Sequence, residues 1–358
     1  MMKAKAADFI LYDQATGAYR IDPEQAVRDD VEKHHWLHVG RTLAKDWRLY
    51  LMLVPMLLVF LLWRYLPMYE LLGCFKVGDQ VLTVNEQAFA GFSNFKLLLT
   101  GGSNAAMSVE FWRAMRNTFL LSFYGLCFGF PMPIILALFF NEVKSNAARS
   151  VMQVLTYLPK FMSTVVMTSL VIMLVKQGSS VQGVGNAMGG VISQALAGLG
   201  LISEQTAKAG LLNDPAFFRT IYQVSGIWEA AGYDSIVFFA AIIAISPTSY
   251  EAAQIDGANK WAQMRYVVLP SILSTVVIML ITRIGHLLMV GYEKVILLYN
   301  VNTYQTADVV STFSYRYGME NNRTGLASAA EMMNNVVGMM LVIGANTIAK
   351  KASNTSLY

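Results

Sequence analysis

The chain has 358 residues, 55% of them hydrophobic and only 14% charged, with a formal net charge of +4. Soluble domains carry about a quarter charged residues, so this composition excludes an ordinary soluble protein and reads as an integral membrane protein. The modest positive balance, with no Lys/Arg run or basic–aromatic patch, excludes nucleic-acid binding and fits biased cytoplasmic loops.

Residues 1–48 are polar and mixed in charge, with no early apolar run. They are expected to form a cytoplasmic N-terminal extension, not a cleavable signal peptide. Asp22-Pro23-Glu24 starts a candidate short helix reaching about His35, with Pro at its first position. Apolar blocks near the roughly 20 residues needed to cross a bilayer then follow. The first predicted span runs from about Tyr50 to Leu66. Arg41, Lys45 and Arg48 precede it and place the N-terminus inside. An extracytoplasmic loop leads to a second span, about Asn117 to Phe140, where Pro131 and Pro133 predict a kink supported by a neighbouring helix. Lys144 and Arg149 make the loop Asn141–Ser150 cytoplasmic.

The third span runs from about Val151 to Val175 and contains Pro159. The segment 177–218 is glycine-rich, neither cleanly apolar nor strongly charged, and reads as a re-entrant or surface-lying external piece. The fourth span, about Thr220 to Ile245, ends at Pro247. A polar stretch with Lys260 and Arg265 separates it from a fifth span, Pro270 to about Tyr292. The sixth spans about Leu326 to Ile348, and Lys350-Lys351 hold the C-terminal tail, 351–358, inside. The expected fold class is therefore an all-α membrane protein of about six transmembrane helices, multi-pass, with both termini cytoplasmic and the membrane domain over residues 49–350. Two cysteines, Cys74 in a loop and Cys127 in a span, imply no disulfide framework. Four histidines without CxxC or HExxH leave no metal site and no cofactor to expect in this chain.

The polar stretch between spans four and five, within 248–270, is the most informative part of the chain. It reads EAAQIDGANKWAQMRYVVLP over Glu251–Pro270. Glu251-Ala252-Ala253 opens it, Asp256-Gly257-Ala258 makes a turn, and Leu269-Pro270 closes it where hydrophobicity resumes. A short helix held between two spans is suited to being gripped by a soluble partner. This pattern resembles the EAA loop of binding-protein-dependent ABC importer permeases, in which the loop is the coupling helix that docks on a cytoplasmic ATPase.

The resemblance extends through Tyr50–Lys76, Phe111–Ser122, GFPMPIILALFFNEV (Gly129–Val143), YLPKF (Tyr157–Phe161), VGYEKVILLYN (Val290–Asn300) and YQTADVVSTFSYRYG (Tyr304–Gly318). These segments are similar to the oligosaccharide and polysaccharide permease group of the LplB/YteP type, among MalF/MalG-like carbohydrate importers. The resemblance covers roughly residues 45–350. It implies a type I ABC importer permease in a bacterial cytoplasmic membrane, paired with a second permease as a heterodimer. It further implies two ABC ATPase subunits carrying ATP-Mg and an extracytoplasmic sugar-binding protein that delivers an oligosaccharide. By the same resemblance Glu251 is the anionic anchor for a basic residue of the ATPase. Gly257 is expected to permit the turn because a Cβ there would clash, and Pro270 to occupy a first-turn position. The chain is a transport subunit and not an enzyme. It contains no GxxxxGK[ST] and no Gly-Lys dipeptide at all, so if transport is driven by ATP, another polypeptide is expected to supply the hydrolysis.

Ionisable residues inside spans are expensive and face the bundle interior or water. The fifth span holds Arg283 and His286 on one helical face, with Glu293 continuing the stripe. The fourth holds Glu229 and Tyr233 four apart, with Trp228 and Asp234 beside them. Aromatic faces beside carboxylates and polar donors suit sugars. Three readings stay open: an intramembrane Glu229–Arg283 pair, a substrate pathway, and contact with the second permease. An unpaired Arg283 favours an acidic, uronate-containing substrate. Glu331, Asn334 and Asn335 in the sixth span are weaker candidates. The rival classes are a stand-alone secondary sugar transporter and a membrane sensor; the EAA loop and the few buried carboxylates argue against the first.

Overall fold

The computed structural model describes residues 10–13, 18–21, 45–78, 86–102, 104–175 and 190–353. The chain divides into two units, 1–70 and 71–358. In the first, β1 (Ile10–Asp13) and β2 (Ala18–Ile21) pair antiparallel, with Ile10 opposite Ile21. This hairpin adds a small strand element to the expected all-α fold, while the helix expected from Asp22 lies outside the described residues. Helix α1 (Trp47–Phe60) reads WRLYLMLVPMLLVF and is apolar on every side, the pattern of a membrane span. A π turn at Leu61–Tyr65 and a 3-10 stretch at Leu66–Phe75 carry on from it.

The second unit is a helical bundle. Helix α2 (Ala105–Tyr124) runs through a π turn at Gly125–Gly129 into α3 (Pro131–Glu142). Pro131 has no N–H to give, and the turn widens just before it, with Phe130 N bonded to Gly125 O at 3.1 Å. The irregularity expected at the prolines thus sits one turn upstream.

Helix α4 (Asn146–Tyr157) begins at Ser145, whose side chain accepts from Ala148 N at 3.3 Å, a side-chain N-cap. It ends at the Pro159 turn, beyond which α5 (Thr164–Val175) leaves the line of 146–161 by 102°. The third span expected over Val151–Val175 is therefore broken by a corner at Pro159. Leu158–Phe161 tightens to a 3-10 turn around Pro159, and Met162 is extended, at φ −82° and ψ 149°.

Helix α6 (Pro215–Ile243) is the spine of the unit. Asp214 accepts from Ala216 N at 2.9 Å and Pro215 follows it, so the helix starts with both a cap and a pre-set φ. Phe238 and Ile242 pack with Ala137 of α3, Val268 and Ile272 in one buried cluster. Gly232 lets α6 touch α4: a Cβ there would lie 2.0 Å from Thr156 O. The short helix α7 (Pro247–Ile255) follows. Residues Lys260–Ser271 and α8 (Leu273–Gly285) form a second bent pair, at 61°.

Helix α8 ends at Gly285, short of the expected Tyr292. After it come α9 (Tyr292–Leu298) and α10 (Val310–Tyr315), then the long α11 (Thr324–Ser353). Among the described residues four helical runs are long and apolar enough to cross a membrane: 47–75, 105–142, 215–243 and 324–348. Up to six result if each bent pair counts as one span.

Between α9 and α11 the chain buries a charge. Asp308 is fully buried and accepts from Arg316 at both oxygens, at 3.1 and 2.8 Å, and from Thr312 Oγ1 at 2.8 Å. Burial opposes the Arg316 charge, but the bonds and charge of Asp308, with that of Glu110, outweigh it and hold the guanidinium pKa above its ordinary value. Tyr317 donates to Glu110 Oε2 at 2.8 Å, tying this segment to α2.

Candidate functional site: a coupling turn and a cationic chamber

The first candidate is the turn after α7. Proline at its first position and Ser246 before it start the helix. Its end is a Schellman motif: Ala258 N bonds Ala253 O at 2.8 Å and Gly257 N bonds Gln254 O at 3.0 Å. Gly257 has φ +77°, the left-handed conformation that a Cβ penalises. Nothing lies within 4 Å of where its Cβ would be. The glycine is needed for its backbone angle, not for the clash expected from the sequence.

Asn259 then caps the next turn by accepting from Ala262 N at 2.8 Å, and Gln263 donates to Ala258 O at 2.9 Å. The turn is thereby fixed from both sides. It presents Glu251, Ala252, Asp256 and Gly257 on the surface, with Ala253 and Ala258 half-buried. Ile255 is 87% exposed, and Trp261 and Tyr266 are also exposed, so apolar and acidic groups share one rigid protrusion. Lys260 meets Glu142 of α3 at 3.5 Å, anchoring the turn to the bundle. Burial, followed by the Glu142 charge, pushes the Tyr250 phenol up.

The second candidate is a chamber of about 350 Å³ between α2, α6, α8 and α9. Among its lining residues are Glu229 and Asp234 from α6, Arg283 and His286 from the end of α8, Lys294 from α9, and Lys160 from the Pro159 turn. Glu229 is not paired with Arg283. Lys294 Nζ lies 3.0 Å from Glu229 Oε2, and both side chains are less than one-fifth exposed. Lys294 also sits over the Tyr222 ring, at 5.6 Å. Arg283 makes no ion pair with any described carboxylate. His286 Nδ1 is 2.9 Å from Thr282 O. With Glu229 neutralised by Lys294, Lys160 and Arg283 face Asp234 alone, and the chamber is net cationic.

The other sequence candidates lie elsewhere. Trp228 and Tyr233 are on the exposed side of α6, and Tyr233 packs edge-on against Phe161 at 5.8 Å. Glu293 is exposed and off the chamber, because residues 286–291 break the helix and with it the expected Arg283–His286–Glu293 stripe. Asn334 is buried and donates to Leu288 O at 3.1 Å, while Asn335 is exposed. Lys160 and Lys294 are the cations that sequence reasoning missed. Both lie inside segments quoted above, YLPKF and VGYEKVILLYN: Lys160 within the third expected span, beside Pro159, and Lys294 just past the end of the fifth.

Residues 129–343 match the family described as binding-protein-dependent transport system inner membrane component. The chain belongs to this family. The permease is 34% identical to LplB of Bacillus subtilis over 316 residues, which cover 88% of this chain and 92% of the relative. It is 33% identical to the polygalacturonan/rhamnogalacturonan transport system permease protein YteP of Bacillus subtilis, over 87% of this chain and 90% of that one. A crystal structure of a bacterial ABC transporter that imports the acidic polysaccharide alginate contains a similar chain, at 39% identity and TM-score 0.75. The match covers 88% of the permease and 99% of that chain. A second such structure, with an alginate pentasaccharide-bound periplasmic protein, matches at TM-score 0.74. The permease is thus the membrane subunit of an oligosaccharide ABC importer, with the helical fold expected of that group.

Proposed function

We propose that this permease carries acidic oligosaccharides inward through the chamber between α6 and α8, driven by a separate ATPase docked at the α7 turn. One observation carries the substrate reading: Arg283 lines the chamber without a carboxylate partner, while Glu229 is occupied by Lys294. A guanidinium without a carboxylate partner favours a planar carboxylate, which it can hold bidentately. Uronate units supply such groups, and the names of YteP and the alginate importer support the same substrate class. Trp228, Tyr233 and Glu293, off the chamber wall, are proposed to meet the second permease or the passing chain.

In this reading Glu251 meets a basic residue of the ATPase, with Ala252, Ala253, Asp256, Gly257 and Ala258 shaping the docking turn. Two ATPase subunits bearing ATP-Mg, a second permease in a heterodimer and an extracytoplasmic binding protein complete the importer, and both termini lie in the cytoplasm. The capped, Schellman-closed turn supports this role, since a lever must be rigid to transmit motion.

The test is uptake by the reconstituted complex. Arg283→Gln is expected to lower transport of uronate oligosaccharides about tenfold, the equivalent of roughly 1.4 kcal/mol, and to spare neutral ones. Equal effects on both substrate classes would overturn the acidic reading.

A further inference from the structure

Helix α6 carries a polar face beyond the chamber. Arg219, Gln223, Ile227, Ala230 and Asp234 recur at spacings of three and four, one continuous stripe, and Arg219 lies about 22 Å from Asp234 along the axis. Arg219 lines a separate cleft of about 610 Å³ with Tyr124, Phe128, Thr220, Gln223 and Ile227. Gln223 and Ile227 border the chamber as well, so the two spaces are neighbours sharing one wall. That wall is thin on the α2 side, where the π turn offers only Gly125 and Gly129 against Gln223 and Ile227.

Arg219 is held in place by a neutral partner. Its Nη2 donates at 3.0 Å to Oδ1 of Asn117, a fully buried amide fixed by bonds from its Nδ2 to the carbonyls of Gln305 and Asp308. Its Nε is buried with no hydrogen-bond partner, and among the described residues no carboxylate pairs with it. A positioned guanidinium with a spare donor and no counter-ion is costly unless an anion visits. Tyr124 and Phe128 supply ring faces beside it, and Thr220 and Gln223 supply hydroxyl and amide groups, the mixture a pyranose needs.

We infer that this cleft is a second subsite for the transported chain: Arg219 binds one sugar carboxylate while sugars further along occupy the chamber at Arg283. The inference rests on the acidic-oligosaccharide reading above. From Arg219 to Asp234 at the far end of the chamber wall is about 22 Å along α6, a span that takes a chain of several sugars. Arg219 would therefore set a preference for length, which Arg283 alone does not.

The experiment compares the complete importer, with its binding protein, in vesicles made from zwitterionic lipid alone and from zwitterionic plus anionic lipid. The substrates are a uronate pentasaccharide, a uronate disaccharide and a neutral pentasaccharide. Arg219→Gln is expected to slow uptake of the uronate pentasaccharide about tenfold, leaving the other two within about twofold, with partial recovery in Arg219→Lys. Unchanged uptake, or an equal loss for all three sugars, would overturn the inference. So would a loss seen only with anionic lipid, which would make Arg219 a lipid-phosphate site. Loss of the second permease on purification would likewise make it an interface residue. If the wild-type importer takes up no uronate oligosaccharide, the parent reading falls and this one with it. Wild-type uptake with an indifferent Arg219→Gln removes the subsite alone.

Discussion

Lys294 of α9 closes on Glu229 of α6 at 3.0 Å, across 65 residues of sequence, with both side chains mostly buried. The contact joins the segment following α8 to the middle of the helix that forms the spine of the bundle. It also occupies one of the two carboxylates there, so that Arg283 and Lys160 face Asp234 alone.

Removing one partner of such a pair strands the other. Lys294→Met is expected to destabilise the purified complex by about 2–4 kcal/mol, and the double variant Lys294→Met with Glu229→Gln to recover most of it. Thermal unfolding of the four complexes in the mutant cycle checks this. Additive losses would show that the two residues act independently.

Gly257 makes a sharper prediction than a generic turn residue. With space around its Cβ position but φ at +77°, Gly257→Ala is expected to cost about 1–2 kcal/mol locally, and Gly257→Asn less, because Asn tolerates the left-handed region. Both should insert normally, with sugar-stimulated ATPase falling more in Ala than in Asn. The same assay tests Glu251→Ala; normal stimulation there would remove Glu251 from the coupling role.

Gly232 is constrained by space instead. The Cβ of Gly232→Ala would fall 2.0 Å from the carbonyl oxygen of Thr156, a backbone atom that cannot rotate away. Helices α4 and α6 would have to separate, so the variant should fail to accumulate as a folded complex. A wild-type level in a fluorescence-detected size-exclusion profile would contradict the packing.

The Tyr317 phenol is pushed up to about 12 by burial and then by its bond to, and the charge of, Glu110. The sign follows directly. Protonated Tyr317 contributes stability that is complete below pH 10 and is lost as pH rises through about 12. The stability gap between wild type and Tyr317→Phe should therefore stay constant up to pH 10 and narrow above it, as read by thermal unfolding at stepped pH.

The bundle and the turn after α7 are largely legible in the sequence, since both depend on local pattern. Apolar length marks the spans, and Pro247, Glu251 and Gly257 mark a helix start, an acidic surface and a left-handed stop. The partner of Glu229 was not legible, because i and i+4 spacing governs only contacts within a helix, and Lys294 arrives from another element. The 102° departure at Pro159 was hidden for a related reason: a proline in an apolar run is compatible with a gentle kink or a full corner, and packing decides which. The stripe through Glu293 failed because helical phase was carried past Gly285, where the helix stops.

The Asp308–Arg316 pair bears on how the protein is made. The two residues are only eight apart, so the segment can neutralise its own buried carboxylate as soon as Arg316 has been synthesised. Helix α11, against which this segment packs through Phe313 and Ala330, emerges from the ribosome later. The order of synthesis thus spares the last membrane helix from docking onto a naked charge. A defect at Arg316 would be felt during biogenesis, as an unassembled chain exposed to quality control, before any transport cycle begins.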